Sequence, residues 1–140
     1  MKMNTYLNFP GTCAEAMSFY GQHLGATVIY RTTFDQMPEP KQIPPGLEKG
    51  ILHAQFQLGD GILMASDGPP DRVQPMRSAY ICLHVDSNEE AERIYAALTP
   101  GGEIFAPLME MFFAHRFAQF RDKFGINWML IHAKPMQSNG

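Results

Sequence analysis

Two cysteines, Cys13 and Cys82, are all that the 140 residues contain. That is too few for a disulfide framework, so the fold must rest on a packed core, and a reducing, cytoplasmic setting is expected. Positive charge is also scarce, with 11 Lys and Arg against 14 Asp and Glu. Without a basic stripe, nucleic acid is not an expected partner. No apolar run approaches the ~20 residues that a membrane span needs. The start, Met1 to Tyr6, lacks the apolar stretch of a signal peptide, so no membrane association is expected. What is present is ordinary globular material: 45% hydrophobic and 18% charged residues. A chain of this length buries about 70% of its extended surface on folding, enough for a sizeable core.

The chain is organised around a stretch that occurs twice. Thr12-Cys13-Ala14-Glu15-Ala16-Met17-Ser18-Phe19-Tyr20 is matched by Ser87-Asn88-Glu89-Glu90-Ala91-Glu92-Arg93-Ile94-Tyr95. Each copy opens with a hydroxyl residue followed three places later by glutamate, the pattern of a helix N-terminal capping box. Each then spaces apolar residues as one helical stripe, Ala16, Phe19, Tyr20 and Leu24 in the first, Ala91, Ile94, Tyr95 and Leu98 in the second. A short alternating segment precedes each copy, Thr5 to Phe9 and Tyr80 to Val85, and reads as a strand.

Gly25 is the expected left-handed cap of the first helix, and Ala26 to Phe34 reads as a strand. Asp35 to Gly50 carries four prolines and little periodicity, which predicts a long loop: a lid, a binding loop or a plain surface excursion. Ile51 to Leu58 alternates, Gly59-Asp60-Gly61 is a tight turn, and Ile62 to Ser66 returns. The second helix stops at Thr99 to Gly102. Glu103 to Ala106 reads as a short strand, and Phe112 to Phe120 and Ile126 to His132 as a hairpin turning at Asp122 to Gly125. The expectation is therefore an α+β chain of two βαβββ modules, 1–67 and 78–133, with a linker 68–77 and a frayed tail 134–140. Two similar halves around a shared interior make that interior the place to look for function.

Several segments carry a resemblance. Tyr6-Leu7-Asn8-Phe9, Ala16 with Phe19-Tyr20, Leu24-Gly25, His53-Ala54, Met64-Ala65-Ser66-Asp67, and Asp122-Lys123-Phe124-Gly125 with Trp128 resemble the PhnB-like branch of the glyoxalase/bleomycin-resistance/dioxygenase (vicinal oxygen chelate) superfamily. The resemblance implies paired βαβββ modules forming an open, cup-shaped mixed sheet, usually in a homodimer. Members of the branch also carry the label 3-demethylubiquinone 3-methyltransferase. Here no strand leads through a glycine-rich turn into a helix, as a nucleotide-like methyl donor would want. In metal-dependent members, His, Glu or Gln stand at four inward strand positions. Carried over, these fall at Thr5 or Tyr6, Met64, Tyr80 and Met129. None suits a hard divalent ion, so no cofactor is expected, with a divalent metal held by His53 and His84 as the alternative.

With Met64 and Met129 inward, strand alternation puts Ser66, Asn127 and Ile131 inside with them. Tyr80, Cys82 and His84 share the inward face of their strand, as do His53, Gln55 and Gln57, and a shift by one residue in the first strand adds Asn8. Such a lining suits a small, partly apolar organic ligand fixed by a few polar contacts. His53 and His84 are candidates for general base or ligand-orienting donor, though strand histidines are commonly just solvated. Arg116, in Ala114-His115-Arg116-Phe117, resembles a Gly-Ala-Arg-Phe segment of the family and is a candidate clamp for a carboxylate or phosphate. Plain alternation places it instead beside Phe120 on the helix side; a bulge would resolve the conflict. Cys13, in the first turn of a helix, is either an activated thiol or a small buried residue. Met109 to Phe113 is a flexible rim, a core segment or a dimer contact, and Trp128 packs against a helix. The expected function is small-molecule binding without a catalytic metal. The alternatives are a metal-dependent lyase, isomerase or dioxygenase of the same superfamily, and a protein that sequesters a drug or metabolite.

Overall fold

Three of the four strands of the first half bury one apolar face and leave the other mixed, and that alternation builds the sheet. The structure is a computed structural model and describes residues 1–38 and 43–135. The elements are β1 (Thr5–Phe9), α1 (Cys13–Leu24), β2 (Thr27–Thr33), β3 (Ile51–Leu58), β4 (Gly61–Asp67), β5 (Ile81–His84), α2 (Asn88–Leu98), β6 (Glu103–Met111), β7 (Ala114–Arg121) and β8 (Asn127–Ala133). Two compact units result, Met1–Gln74 and the chain from Pro75 onward. The first is a four-stranded mixed sheet in the order β1-β4-β3-β2, the second one in the order β5-β8-β7-β6. In both, the parallel pair joins the first strand of the module to its last, and the other pairs are antiparallel. The α+β repeat expected from sequence is thus reproduced strand for strand.

In the first unit, Leu7 and Phe9 of β1, Leu63 and Ala65 of β4, and Ala54 and Phe56 of β3 are buried on the face covered by α1. The helix presents Cys13, Ala16, Met17 and Tyr20 to them. Phe19 and Leu24 are only half-buried, so the stripe lies about one residue away from the expected one. In the second unit, Trp128 and Leu130 of β8 and Ala118 and Phe120 of β7 are buried with Ala91, Ile94 and Leu98 of α2. Gly25, at φ 73°, caps α1 in the left-handed region, as expected.

The two helices start differently. Ser87 Oγ accepts the backbone N–H of Glu90 at 3.1 Å, the expected cap of α2. Thr12 makes no such bond. At α1 the buried Asp67 carboxylate takes its place: Oδ1 accepts the N–H of Cys13 and Oδ2 that of Ile51, each at 2.8 Å. One carboxylate at the end of β4 therefore fixes both the helix start and the entry to β3. A second buried carboxylate, Asp122, organises the turn before β8. It accepts the N–H groups of Phe124 and Ile126 and, at 2.8 Å, the indole N–H of Trp128. Hydrogen bonds to charged acceptors of this kind contribute about 1.5–3 kcal/mol.

β6 runs to Met111 rather than ending at Ala106. Pro107 interrupts the sequence pattern, but β6 is an edge strand, where a missing N–H costs little, and its register shifts on either side of the proline. Phe112 and Phe113 form the β6–β7 turn, with Phe112 90% exposed. The proline loop is pinned at both ends. Phe34 and Leu47 are buried, Asp35 N–H donates to the Glu48 carbonyl at 3.0 Å, and Phe34 N–H to that of Gly50 at 3.1 Å. Residues 39–42 of that loop and 136–140 of the expected frayed tail lie outside the described residues. Among the described residues no helix is long and apolar enough to cross a membrane.

Candidate functional site

The face of the first sheet turned away from α1 gathers its polar and aromatic side chains into two rows. The register aligns Tyr6 with Met64, Met64 with Gln55, and Gln55 with Tyr30, so one row crosses all four strands. Asn8 and Ser66 are opposite each other in the next row, and Ser66 Oγ donates to Asn8 Oδ1 at 3.2 Å. His53 stands among them. Its Nδ1 is 3.3 Å from the Tyr6 hydroxyl and its Nε2 3.4 Å from the Gln55 amide nitrogen. The Tyr6 ring stacks on the imidazole at 5.8 Å between centroids, and Tyr30 flanks it at 6.1 Å. The cluster is half-open, since Tyr6 and Tyr30 are exposed and His53, Gln55 and Met64 half-buried. Gln57 is on the same face but turns its amide to the Gly59 carbonyl at the hairpin.

The second sheet repeats the row. Cys82 is opposite Met129, and Met129 opposite Gln119. Matched by strand order, Tyr6-Met64-Gln55 corresponds to Cys82-Met129-Gln119. The buried neighbours Trp128 and Leu130 place Met129 on the face away from α2. Cys82 and His84 share that face, with Cys82 Sγ 3.5 Å from His84 Nε2. Tyr80 stands just before β5 and meets the Phe105 ring edge-on at 6.3 Å. Ile131 lies opposite His84. Asn127 is fully buried and accepts the Arg121 Nε–H at 3.0 Å.

Arg116 is not with these residues. A bulge does occur, between Ala114 and Arg116, but its extra residue is His115, and Arg116 remains on the α2 side. There its guanidinium donates to Glu92 Oε1 of α2 at 3.2 and 3.3 Å. His115 in turn meets the ring of His132, whose Nδ1 is 2.9 Å from Asn88 Oδ1.

Three residues of the open faces escaped the sequence reading. Tyr30 lies beyond a register shift in β2, which strand alternation does not foresee. Gln119 was signalled by the internal repeat, as the counterpart of Gln55. Arg121 lies over the Phe105 ring at 5.2 Å and bonds Asn127, Glu103 and the Met76 carbonyl, so it is held as a clamp within its unit.

Neither thiol is activated. Cys13 is fully buried, and burial, reinforced by the Asp67 charge, pushes its pKa up to about 12. Partial burial also raises that of Cys82. The helix N-terminus beside Cys13 is already spoken for by Asp67.

A family model described as the Glyoxalase/Bleomycin resistance protein/Dioxygenase superfamily matches residues 2–130. The chain belongs to this superfamily. Protein YjdN of Escherichia coli (strain K12) is 31% identical over 147 residues, covering 98% of this chain and 100% of that one. The crystal structure of PA1353 from Pseudomonas aeruginosa aligns at TM-score 0.83 and 38% identity, over 96% of this chain and 99% of the other. The PhnB protein of Bacillus cereus, provisionally designated a 3-demethylubiquinone-9 3-methyltransferase, aligns at TM-score 0.78 and 26% identity, over 95% and 100%. The PhnB resemblance and the glyoxalase/bleomycin-resistance fold read from the sequence both hold.

Superfamily membership raises the question of a divalent metal. Thr5 has the strand parity of buried Leu7, which leaves Tyr6 beside Met64, and the matching register of the second unit sets Cys82, rather than the expected Tyr80, beside Met129. Two thioethers, a phenol and a thiol are poor donors for a hard cation. Among the described residues no three His, Cys, Asp or Glu side chains come together as a metal site. The donor set does not fit the superfamily's divalent ion.

Proposed function

We propose that this superfamily member binds a small, partly apolar organic molecule on the open face of its first sheet, through hydrogen bonds and ring contacts rather than a divalent metal. The observation that carries this is the setting of His53, engaged at Nδ1 by Tyr6 and at Nε2 by Gln55, with Tyr30 beside it. A ring held at both nitrogens is poorly placed to take a substrate proton; its effect is to fix Tyr6. With the Gln55 amide donating to Nε2, the ring hydrogen sits on Nδ1 and goes to the Tyr6 oxygen. The phenol hydrogen then points outward, toward a ligand carbonyl or oxyanion. Tyr30 and Met64 supply adaptable apolar surface, and Asn8 a further polar contact. Sequestration of a metabolite or drug is this same reading with no chemistry after binding.

Methyl transfer is not part of it. β1 enters α1 through Pro10-Gly11-Thr12 and β5 enters α2 through Val85-Asp86-Ser87, neither a glycine-rich phosphate cradle. Saturable binding of S-adenosylmethionine is expected to be absent. The reading includes a reducing cytoplasm and a homodimer. Two free cysteines support the first. Exposed Val28 and Ile29 on edge strand β2, with Ile104 and Phe105 on edge strand β6, support the second.

Thermal-shift screening of small metabolites in chelator tests the proposal. A ligand at 100 times its Kd stabilises the fold by about 2.7 kcal/mol. The shift should vanish in His53→Ala and persist in Arg116→Ala. A shift that survives His53→Ala, or that requires an added divalent ion, overturns the reading.

A further inference from the structure

The open face of the second sheet is chemically unlike that of the first. Where the first row begins with tyrosine, the second begins with the thiol of Cys82, and Asn8 is replaced by His84. Thiol and imidazole then meet on β5, with a thioether-bearing residue opposite the thiol on β8. We propose that Cys82, His84 and Met129 form a binding site for a soft monovalent metal ion, copper(I) in particular.

Cys82 Sγ and His84 Nε2 are 3.5 Å apart. Metal–sulfur and metal–nitrogen bonds of about 2.3 and 2.0 Å enclose an angle of about 109° at that separation, so the distance suits two donors of one ion after a small turn of the imidazole. A thiol–imidazole hydrogen bond accounts for the same distance, so the third donor decides between the two. Met129 lies directly opposite Cys82 in the parallel β5–β8 ladder, on the same face. Neighbouring strands are about 4.8 Å apart, and methionine's three rotatable bonds let its sulfur close on an ion held at Cys82.

The donor set also selects the ion. Thiolate and thioether favour copper(I), whereas magnesium, calcium and manganese want oxygen. On binding, the thiol proton leaves to solvent and the thiolate neutralises the single positive charge, so the occupied site carries no net charge. Cys82 and His84 are both exposed, which leaves the ion a way in. The argument for this site uses only residues of the second unit.

Anaerobic titration of the reduced protein with copper(I), in competition with a chromogenic chelator, tests the site. One ion per chain is expected. Losing even an outer-sphere partner costs metal sites about 10–100-fold in affinity. Cys82→Ser and His84→Ala should therefore each cost at least about a hundredfold, and Met129→Leu at least about tenfold. Met129→Leu conserves volume, and unchanged thermal melting shows that it folds. Absence of stoichiometric binding, indifference to His84→Ala or Met129→Leu (the mark of a bare thiol), or preference for zinc(II) overturns the proposal.

Discussion

The Tyr6 hydroxyl reaches across the intervening strand β4 to within 3.3 Å of Nδ1 of His53, and the two rings stack. Replacing Tyr6 with phenylalanine keeps the stack and removes the hydroxyl. Because the pair is exposed, stability should change by less than about 1 kcal/mol. Affinity for a ligand found by screening should fall about tenfold, or ~1.4 kcal/mol. Calorimetric titration measures this, and an unchanged Kd would show that the phenol does not touch the ligand.

The helix starts separate a local cap from a distant one. Asp67→Asn should destabilise by about 2–3 kcal/mol in urea denaturation, since its buried carboxylate serves both Cys13 and Ile51. Ser87→Ala should cost about 1 kcal/mol. Thr12→Ala should cost clearly less than Ser87→Ala, because Thr12 caps nothing. Equal losses at Thr12 and Ser87 would show that α1 is capped locally after all.

Asp122→Ala removes the acceptor of two backbone N–H groups and of the Trp128 indole, all of them inside the second unit. A loss of at least about 3 kcal/mol is expected. Trp128→Phe, which forfeits one of these bonds and some volume, should cost less. The reverse order would mean that the indole, not the turn, is the main support of β8.

Thiol labelling distinguishes the cysteines. Exposed Cys82 should react with a maleimide in the native state, and buried Cys13 only after unfolding. Cys13 is raised from 9.0 to about 12, so both folded and unfolded chains hold its proton below pH 9 and its titration affects stability only above that. Between pH 9 and about 12 only the unfolded chain gives up the proton, so stability falls as pH rises. Cys13→Ala should flatten that slope in denaturation curves; an unaltered slope would place its cause in other groups.

Much of the fold was legible because the sequence states it twice. The paired helix stripes, Gly25, and the turns at Gly59–Gly61 and Asp122–Gly125 all signal themselves over a few residues. Strand alternation also placed Met64, His53 and Gln55 on one face, and Cys82, His84 and Met129 on another. What stayed hidden depends on partners distant in sequence. Asp67 lies 54 residues from the helix it caps, and Arg116 was drawn to Glu92, 24 residues away, a pairing no local pattern reveals. Tyr30 was lost to a shift in register, and the length of β6 to Pro107. Two of the segments that carried the family resemblance, those ending in Asp67 and beginning at Asp122, prove to contain buried carboxylates that support the fold.

Elemental analysis of protein purified without chelator and without nickel resin bears most directly on a ligand face that works without a divalent metal. A phenol, two thioethers and a thiol whose pKa is raised by burial, at the positions that match the superfamily's ligands, predict only traces of manganese, iron, nickel or zinc. About one tightly held ion of any of these per chain would contradict the account.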